Sequence, residues 1–216
     1  MFHVTANRHS VPVIGLVGGI GSGKSFLSKE LANRYRVAIV EGDATGHQVL
    51  KEESVKNAIR ARFGNDVFDR NGEVDRRRMS VLVFGSSAPA REARAALEAI
   101  VHPYITERLT QQITAARNRP GIELVVLDAA LLLEAGWSSL CDRVIFVDAP
   151  DEQRLSRVER SRGWSPAELK AREESQFSLE RKRREADDVV DNSKTAAHAL
   201  AQLEAILSRT TSPSKS

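Results

Sequence analysis

Apolar residues fall along the chain in short blocks separated by longer amphipathic stretches. Four blocks, at residues 11–17, 37–40, 124–127 and 144–147, are rich in Val, Ile and Leu and show no polar alternation. That is the pattern of parallel strands covered on both faces. Between and after them the apolar positions take helical spacing, over residues 25–35, 90–117, 151–162 and 196–208. His102-Pro103 predicts a break in the second of these helices. Val189-Val190 before Asp191-Asn192 predicts one more short strand and a turn. Strands alternating with helices predict an α/β fold with a doubly wound parallel sheet.

Two regions interrupt the alternation. Residues 52–109 are polar and mostly helical, with a turn at Asp69-Arg70-Asn71-Gly72, and are too long for one crossover. They predict a helical insert. Residues 151–182 predict a charged helical hairpin around Gly163-Trp164-Ser165-Pro166. There Ser165 reads as an N-cap, Pro166 as the first helical residue and Glu168 as the closing member of a capping box. The chain therefore reads as one domain over residues 11–208, with flexible tails at 1–10 and 209–216.

Composition narrows the partners. The 216 residues carry 32 Lys plus Arg against 29 Asp plus Glu, a net charge of +3, and only 5% are aromatic. This suits an anionic ligand, but the excess is too small to identify a nucleic-acid binder and the aromatics are too few for an obvious stacking platform. The one cysteine, Cys141, excludes an intrachain disulfide and a cysteine-based metal cluster. No apolar run is long enough to span a bilayer, and the first ten residues lack the core of a signal peptide. The expected compartment is the cytoplasm, with no membrane, nucleic-acid or obligatory protein partner.

The chemistry begins at Gly18-Gly19-Ile20-Gly21-Ser22-Gly23-Lys24-Ser25, which fits G-x-x-x-x-G-K-[ST] between an apolar strand and a helix. Glycines allow the backbone to wrap a phosphate with its N–H groups inward, and the following helix aims its positive end at the same anion. Gly19, Gly21, Ser22, Gly23 and Phe26 are expected to line the nucleotide. Lys24 should reach the β- and γ-phosphates, and the Ser25 hydroxyl should ligate Mg²⁺. Acids follow three other strands. Asp43 has two readings, a base for an acceptor hydroxyl or a helix N-cap. Asp128, inside an apolar run, is the candidate metal carboxylate, and Asp148 reads as a turn residue. His47, four residues after Asp43, shares its helix face. Among the hairpin cations, Arg157 and Arg162 are candidates to neutralise a transferring phosphoryl group. Asn192 is a candidate neighbour of the adenine.

With these residues in hand, the chain resembles the bacterial dephospho-CoA kinase family from about residue 13 to 192. The resemblance rests on the phosphate loop, Asp43, Val83-Phe84-Gly85, Leu97-Glu98-Ala99-Ile100-Val101-His102-Pro103 and Leu131-Leu132-Leu133-Glu134. It continues in Gln176 and Ala186-Asp187-Asp188-Val189-Val190-Asp191-Asn192. It implies a P-loop kinase fold with core, CoA-binding helical part and lid. The implied reaction is phosphorylation of the ribose 3′-hydroxyl of dephospho-CoA by ATP, rather than GTP, with Asp43 matching the base. It also implies that His102, Pro103, Leu132 and Glu134 line the acceptor side. Three positions depart from the family pattern: Glu41 where Asp is usual, Phe26 where Thr is usual, and Ala130 where Pro is usual. The rival readings are a nucleoside or nucleoside-monophosphate kinase and a regulatory nucleotide-binding protein. No Asn-Lys-x-Asp guanine motif supports a GTPase switch.

Overall fold

The computed structural model describes residues 11–85 and 87–210. Five strands, β1 (Val13–Val17), β2 (Val37–Glu41), β3 (Leu124–Asp128), β4 (Arg143–Asp148) and β5 (Asp188–Asp191), form one sheet in the order β2-β3-β1-β4-β5. Every pairing is parallel. The first strand sends Ile14 and Leu16 to one face and Val13 and Val17 to the other, following the twofold period of the pleat.

One face is covered by α1 (Lys24–Arg34) and α9 (Ala196–Thr210). Leu27 and Leu31 meet Ala199, Leu200, Leu203, Ile206 and Leu207 there, an apolar stripe at helical spacing. The other face is covered by α2 (Gly42–Val49), α3 (Glu53–Phe63), α4 (Arg76–Val83) and α5 (Ala88–Arg117). Val55, Ile59, Val67, Met79 and Val83 of the insert join one continuous core with Val125, Leu127 and Phe146 of the sheet. The turn at 69–72 is as expected: Asp69 Oδ1 accepts from the N–H groups of Asn71 at 2.8 Å and Glu73 at 2.9 Å.

The charged hairpin contains α6 (Asp151–Arg162) and α7 (Pro166–Glu173), and α8 (Leu179–Glu185) returns to the sheet. Gly163 ends α6 at φ +67°, a left-handed conformation that favours glycine. The capping box forms: Ser165 N–H donates to Glu168 Oε2 at 2.8 Å, and Glu168 N–H to Ser165 Oγ at 3.3 Å. The Trp164 ring is flanked by the guanidinium groups of Arg162 and Arg172, at 4.8 and 3.9 Å from its centroid.

Three expectations on architecture are corrected. His102-Pro103 does not end a helix; α5 runs through Pro103 for 30 residues. The insert boundary at 109 and the hairpin boundary at 182 both fall inside helices, α5 and α8. Arg209, expected in a tail, lies in the last turn of α9 and pairs with Asp188 at 3.0 Å. The remaining tail expectations, 1–10 and 211–216, lie outside the described residues.

Candidate active site

The site lies at the carboxyl ends of the strands, where open α/β sheets bind ligands. Residues 18–23 leave β1 and turn sharply into α1. Gly18, Gly21 and Gly23 have φ of +146°, +80° and +99°. A side chain at Gly21 is excluded twice, because a Cβ there would also stand 2.6 Å from the Arg154 carbonyl oxygen. The start of α1 carries no acidic residue in its first turn, and no side chain among the described residues caps it. Its positive end is left open to an anion. Ser25 and Phe26 in that first turn are exposed, Phe26 by 48%.

Lys24 folds back over the loop, its Nζ donating to the carbonyl oxygens of Gly18 at 2.9 Å and Gly19 at 3.0 Å. Burial pushes this ammonium down from 10.5 to about 8, opposed by Asp128 and Asp43 and assisted by the cations Lys182 and Arg162. These four charged groups, drawn from β3, α2, α8 and α6, act on the phosphate-loop lysine through their charge.

The outer wall of the loop is built by α6 and the residue after β5. Arg154 is buried and pairs with Asp151 at 2.8 Å and with Glu173. It also donates to Ile20 O at 3.2 Å. Arg157, expected on the transferred phosphoryl group, instead donates to the carbonyls of Gly21 (3.3 Å), Ser22 (3.2 Å) and Asn192 (3.1 Å). Its guanidinium is spent on the back of the loop. Asn192, expected beside the adenine, is buried and donates from Nδ2 to Ser22 O at 2.7 Å, bracing the same wall. Ser22 is likewise turned inward. Its N–H donates to Gly19 O at 3.1 Å, and its buried Oγ has no partner among the described residues.

On the acceptor side, Asp43 is exposed in the first turn of α2, and Oδ1 accepts from the Ala130 N–H at 3.4 Å. The N-cap of α2 is Glu41, so the capping reading of Asp43 does not hold. Asp128, at the end of β3, is half-buried rather than enclosed. His47 is exposed one turn beyond Asp43. Partial desolvation and then the Arg76 charge lower its pKa, while Asp43 raises it. His102 is half-buried, edge-on to Trp137 with centroids 5.6 Å apart, and desolvation lowers its pKa. Pro103 is exposed on α5.

Two acceptor-side expectations are corrected. Leu132 is fully buried against Gly15 and offers no surface to a ligand. Glu134 is committed: its Oε1 accepts from the Phe177 N–H at 2.8 Å and pairs with Lys182 at 2.9 Å. Lys182, only 1% exposed, escaped the sequence reading because it stands in the run Arg181–Arg184, which looks like a solvated face. The available signal was helical spacing, since Lys182 follows Leu179 by three and precedes Ala186 by four.

A parallel 2-3-1-4-5 sheet, a glycine loop with its lysine, a strand-end acid and a basic helical flap together define a P-loop phosphotransferase. Comparison with known proteins makes this particular. The family model for dephospho-CoA kinase (CoaE) matches residues 12–198. A dephospho-CoA kinase of Bacillus cereus is 36% identical over 91% of this chain and 96% of its own. One of Latilactobacillus sakei is 38% identical over 90% and 93%. The crystal structure of TT1252 from Thermus thermophilus superposes with a TM-score of 0.76 at 32% identity, covering 93% of this chain and 98% of that one. Dephospho-CoA kinase from Campylobacter jejuni shares the fold, with a TM-score of 0.63 at 24% identity over 92% and 96%. The chain belongs to the dephospho-CoA kinase family, which catalyses the final ATP-dependent step of coenzyme A biosynthesis.

Proposed function

We propose that this chain transfers the γ-phosphoryl group of ATP to the ribose 3′-hydroxyl of dephospho-CoA, with Asp43 as general base and Lys24 and Arg162 balancing charge on the moving group. The observation that carries this reading is the open glycine loop with Lys24 folded over it, together with the exposed Asp43 carboxylate at the carboxyl end of the same sheet. Acids and cations gathered at the phosphate loop meet the needs of phosphoryl transfer, which is mostly positioning and charge stabilisation. In the step, an Asp43 oxygen takes the hydroxyl proton while the ribose oxygen bonds to the γ-phosphorus. The bond from that phosphorus to the β–γ bridging oxygen breaks, and ADP leaves. The helical insert serves as the acceptor-binding part, with His47 on α2 and His102 and Pro103 on α5 toward the acceptor, and the charged hairpin of α6 and α7 serves as the lid.

The donors fit Mg²⁺. Ser25 Oγ and the Asp128 carboxylate are hard oxygen ligands, and no group of three or more His, Cys, Asp or Glu among the described residues could hold an ion alone. That suits a cation that takes its other ligands from phosphates and water. When bound, it would neutralise charge on the β- and γ-phosphates. No helix among the described residues is long and apolar enough to cross a membrane. The compartment we propose is the cytoplasm, where ATP is at hand.

The test is ADP release with Mg-ATP and, in turn, dephospho-CoA, AMP, CMP, adenosine or no acceptor, with Asp43→Asn alongside. Turnover that requires dephospho-CoA and falls by about two to four orders of magnitude in the variant is the expected result. Activity with nucleosides or nucleotides alone would overturn the acceptor, and an unimpaired variant would overturn the base.

A further inference from the structure

Lys182 is the largest fully buried side chain of the described residues, and it is charged. It sits on the short helix α8, where the chain returns from the charged hairpin. Its ammonium finds Glu134 Oε1 at 2.9 Å, Gln176 Oε1 at 2.8 Å and the Ala130 carbonyl oxygen at 3.2 Å. Glu134 Oε1 also accepts from the Phe177 N–H at 2.8 Å. Three separate pieces thus meet on one cation: the loop after β3, the segment between α7 and α8, and α8 itself. As a device for stability alone this is a poor choice, because an apolar pair of equal volume is often as good or better.

What the cation grips gives it a use. Ala130 is held from both sides, its carbonyl by Lys182 and its N–H by Asp43 Oδ1. Alanine lacks the ring that would fix its φ, so these two bonds act on a backbone that its own side chain does not lock. The Asp43 contact, at 3.4 Å, is near the outer limit for a hydrogen bond, and a small shift of Ala130 tightens or releases it.

We propose that Lys182, with Glu134 and Gln176, is a positioning unit that holds Ala130 against the Asp43 carboxylate and makes that hold depend on the seating of the lid. The inference rests on the reading of Asp43 as base. Lys182 itself is too buried to touch substrate and acts through Ala130. Gln176 and the Phe177 N–H lie in the last turn of chain before α8, so displacing the hairpin withdraws partners from Glu134 and Lys182 together.

The test uses the full chain and five variants: Lys182→Arg, Lys182→Met, Lys182→Met/Glu134→Gln, Asp43→Asn, and the Lys182→Met/Glu134→Gln pair combined with Asp43→Asn. Lys182→Met leaves the Glu134 charge buried and is expected to lower Tm. The double variant neutralises that charge and keeps an acceptor for the Phe177 N–H, so Tm recovers. Under the proposal kcat stays about a hundredfold low in the double variant while KM for ATP holds, since a reacting group misplaced by about 1 Å costs that much. Lys182→Arg restores part of kcat. Added to Asp43→Asn, the double variant lowers kcat by less than about threefold more, because both changes remove one function. Recovery of kcat together with Tm would overturn the positioning role, as would a full hundredfold loss on top of Asp43→Asn. If Asp43→Asn alone keeps full activity, the base reading fails first, and the inference falls with it.

Discussion

The depressed Lys24 ammonium makes nucleotide binding a proton-uptake event at mildly alkaline pH. Free Lys24 titrates at about 8 instead of 10.5, chiefly because it is buried. At pH 8.5 about three-quarters of the molecules carry it neutral, and at pH 7 about a tenth. A β-phosphate beside it favours the charged form and returns the pKa above the working range. Binding of MgADP should therefore take up about three-quarters of a proton at pH 8.5 and about a tenth at pH 7. The sign for affinity follows: apparent Kd rises with pH through 8, by about tenfold at pH 9 relative to pH 6.5. Calorimetric titration in buffers of different ionisation enthalpy reads the proton count directly. Lys24→Arg stays charged and should give no uptake and a flat profile. Uptake that persists in Lys24→Arg, or none in the natural chain at pH 8.5, would refute the reasoning. The same shift bears on stability. A lysine whose folded pKa is lowered costs the native state its full penalty below pH 8, here about 3 kcal/mol at most. The penalty fades as pH rises from 8 to 10.5. Lys24→Met should thus raise the Tm of the ligand-free protein at pH 7 and much less so at pH 10.

Pro103→Ala should raise Tm, because proline inside a helix is worse than alanine by about 3 kcal/mol and α5 here continues through it; an unchanged Tm would mean the helix has already absorbed the break. Gly23→Ala should weaken ATP binding by at least about tenfold in an equilibrium titration. It puts a side chain at φ +99°, a cost of about 1–2 kcal/mol, and drives a Cβ into the Asn192 amide. Asn192→Leu removes the 2.7 Å donor to the Ser22 carbonyl, which keeps Arg157 at 3.2 Å, and should lower stability by about 0.5–1.5 kcal/mol in urea unfolding, with a matching loss of ATP affinity. Chelation of divalent cations with EDTA should abolish ADP release, and Asp128→Asn should raise the Mg²⁺ concentration that half-restores it.

Local signals in the sequence read out well where the physics is local. The phosphate loop, the capping box at Ser165 and Glu168, the turn at Asp69 and the bounds of α6 each depend on a few adjacent residues, and each forms as the residues dictate. Features that depend on residues far apart in the chain were hidden. Glu134 and Lys182 are 48 positions apart, and each alone looks like a ligand-facing acid or a surface lysine. Arg157 and Asn192 carry the right chemistry to meet a nucleotide, yet the loop's own carbonyls claim them first. Pro103 misled in the opposite sense. Its local preference is to stop a helix, and apolar contacts of Ile105, Leu109 and Ile113 with the core outweigh it.

The 30 residues of α5 extend about 45 Å. It packs against α3 and α4 and also against β2 and β3, so one helix carries both sets of contacts. The proposed acceptor-binding part is therefore not a module that can be exchanged at its borders. A graft ending at residue 109 would cut α5 within its span, and a useful transplant must carry the rest of the helix together with the strands it packs on.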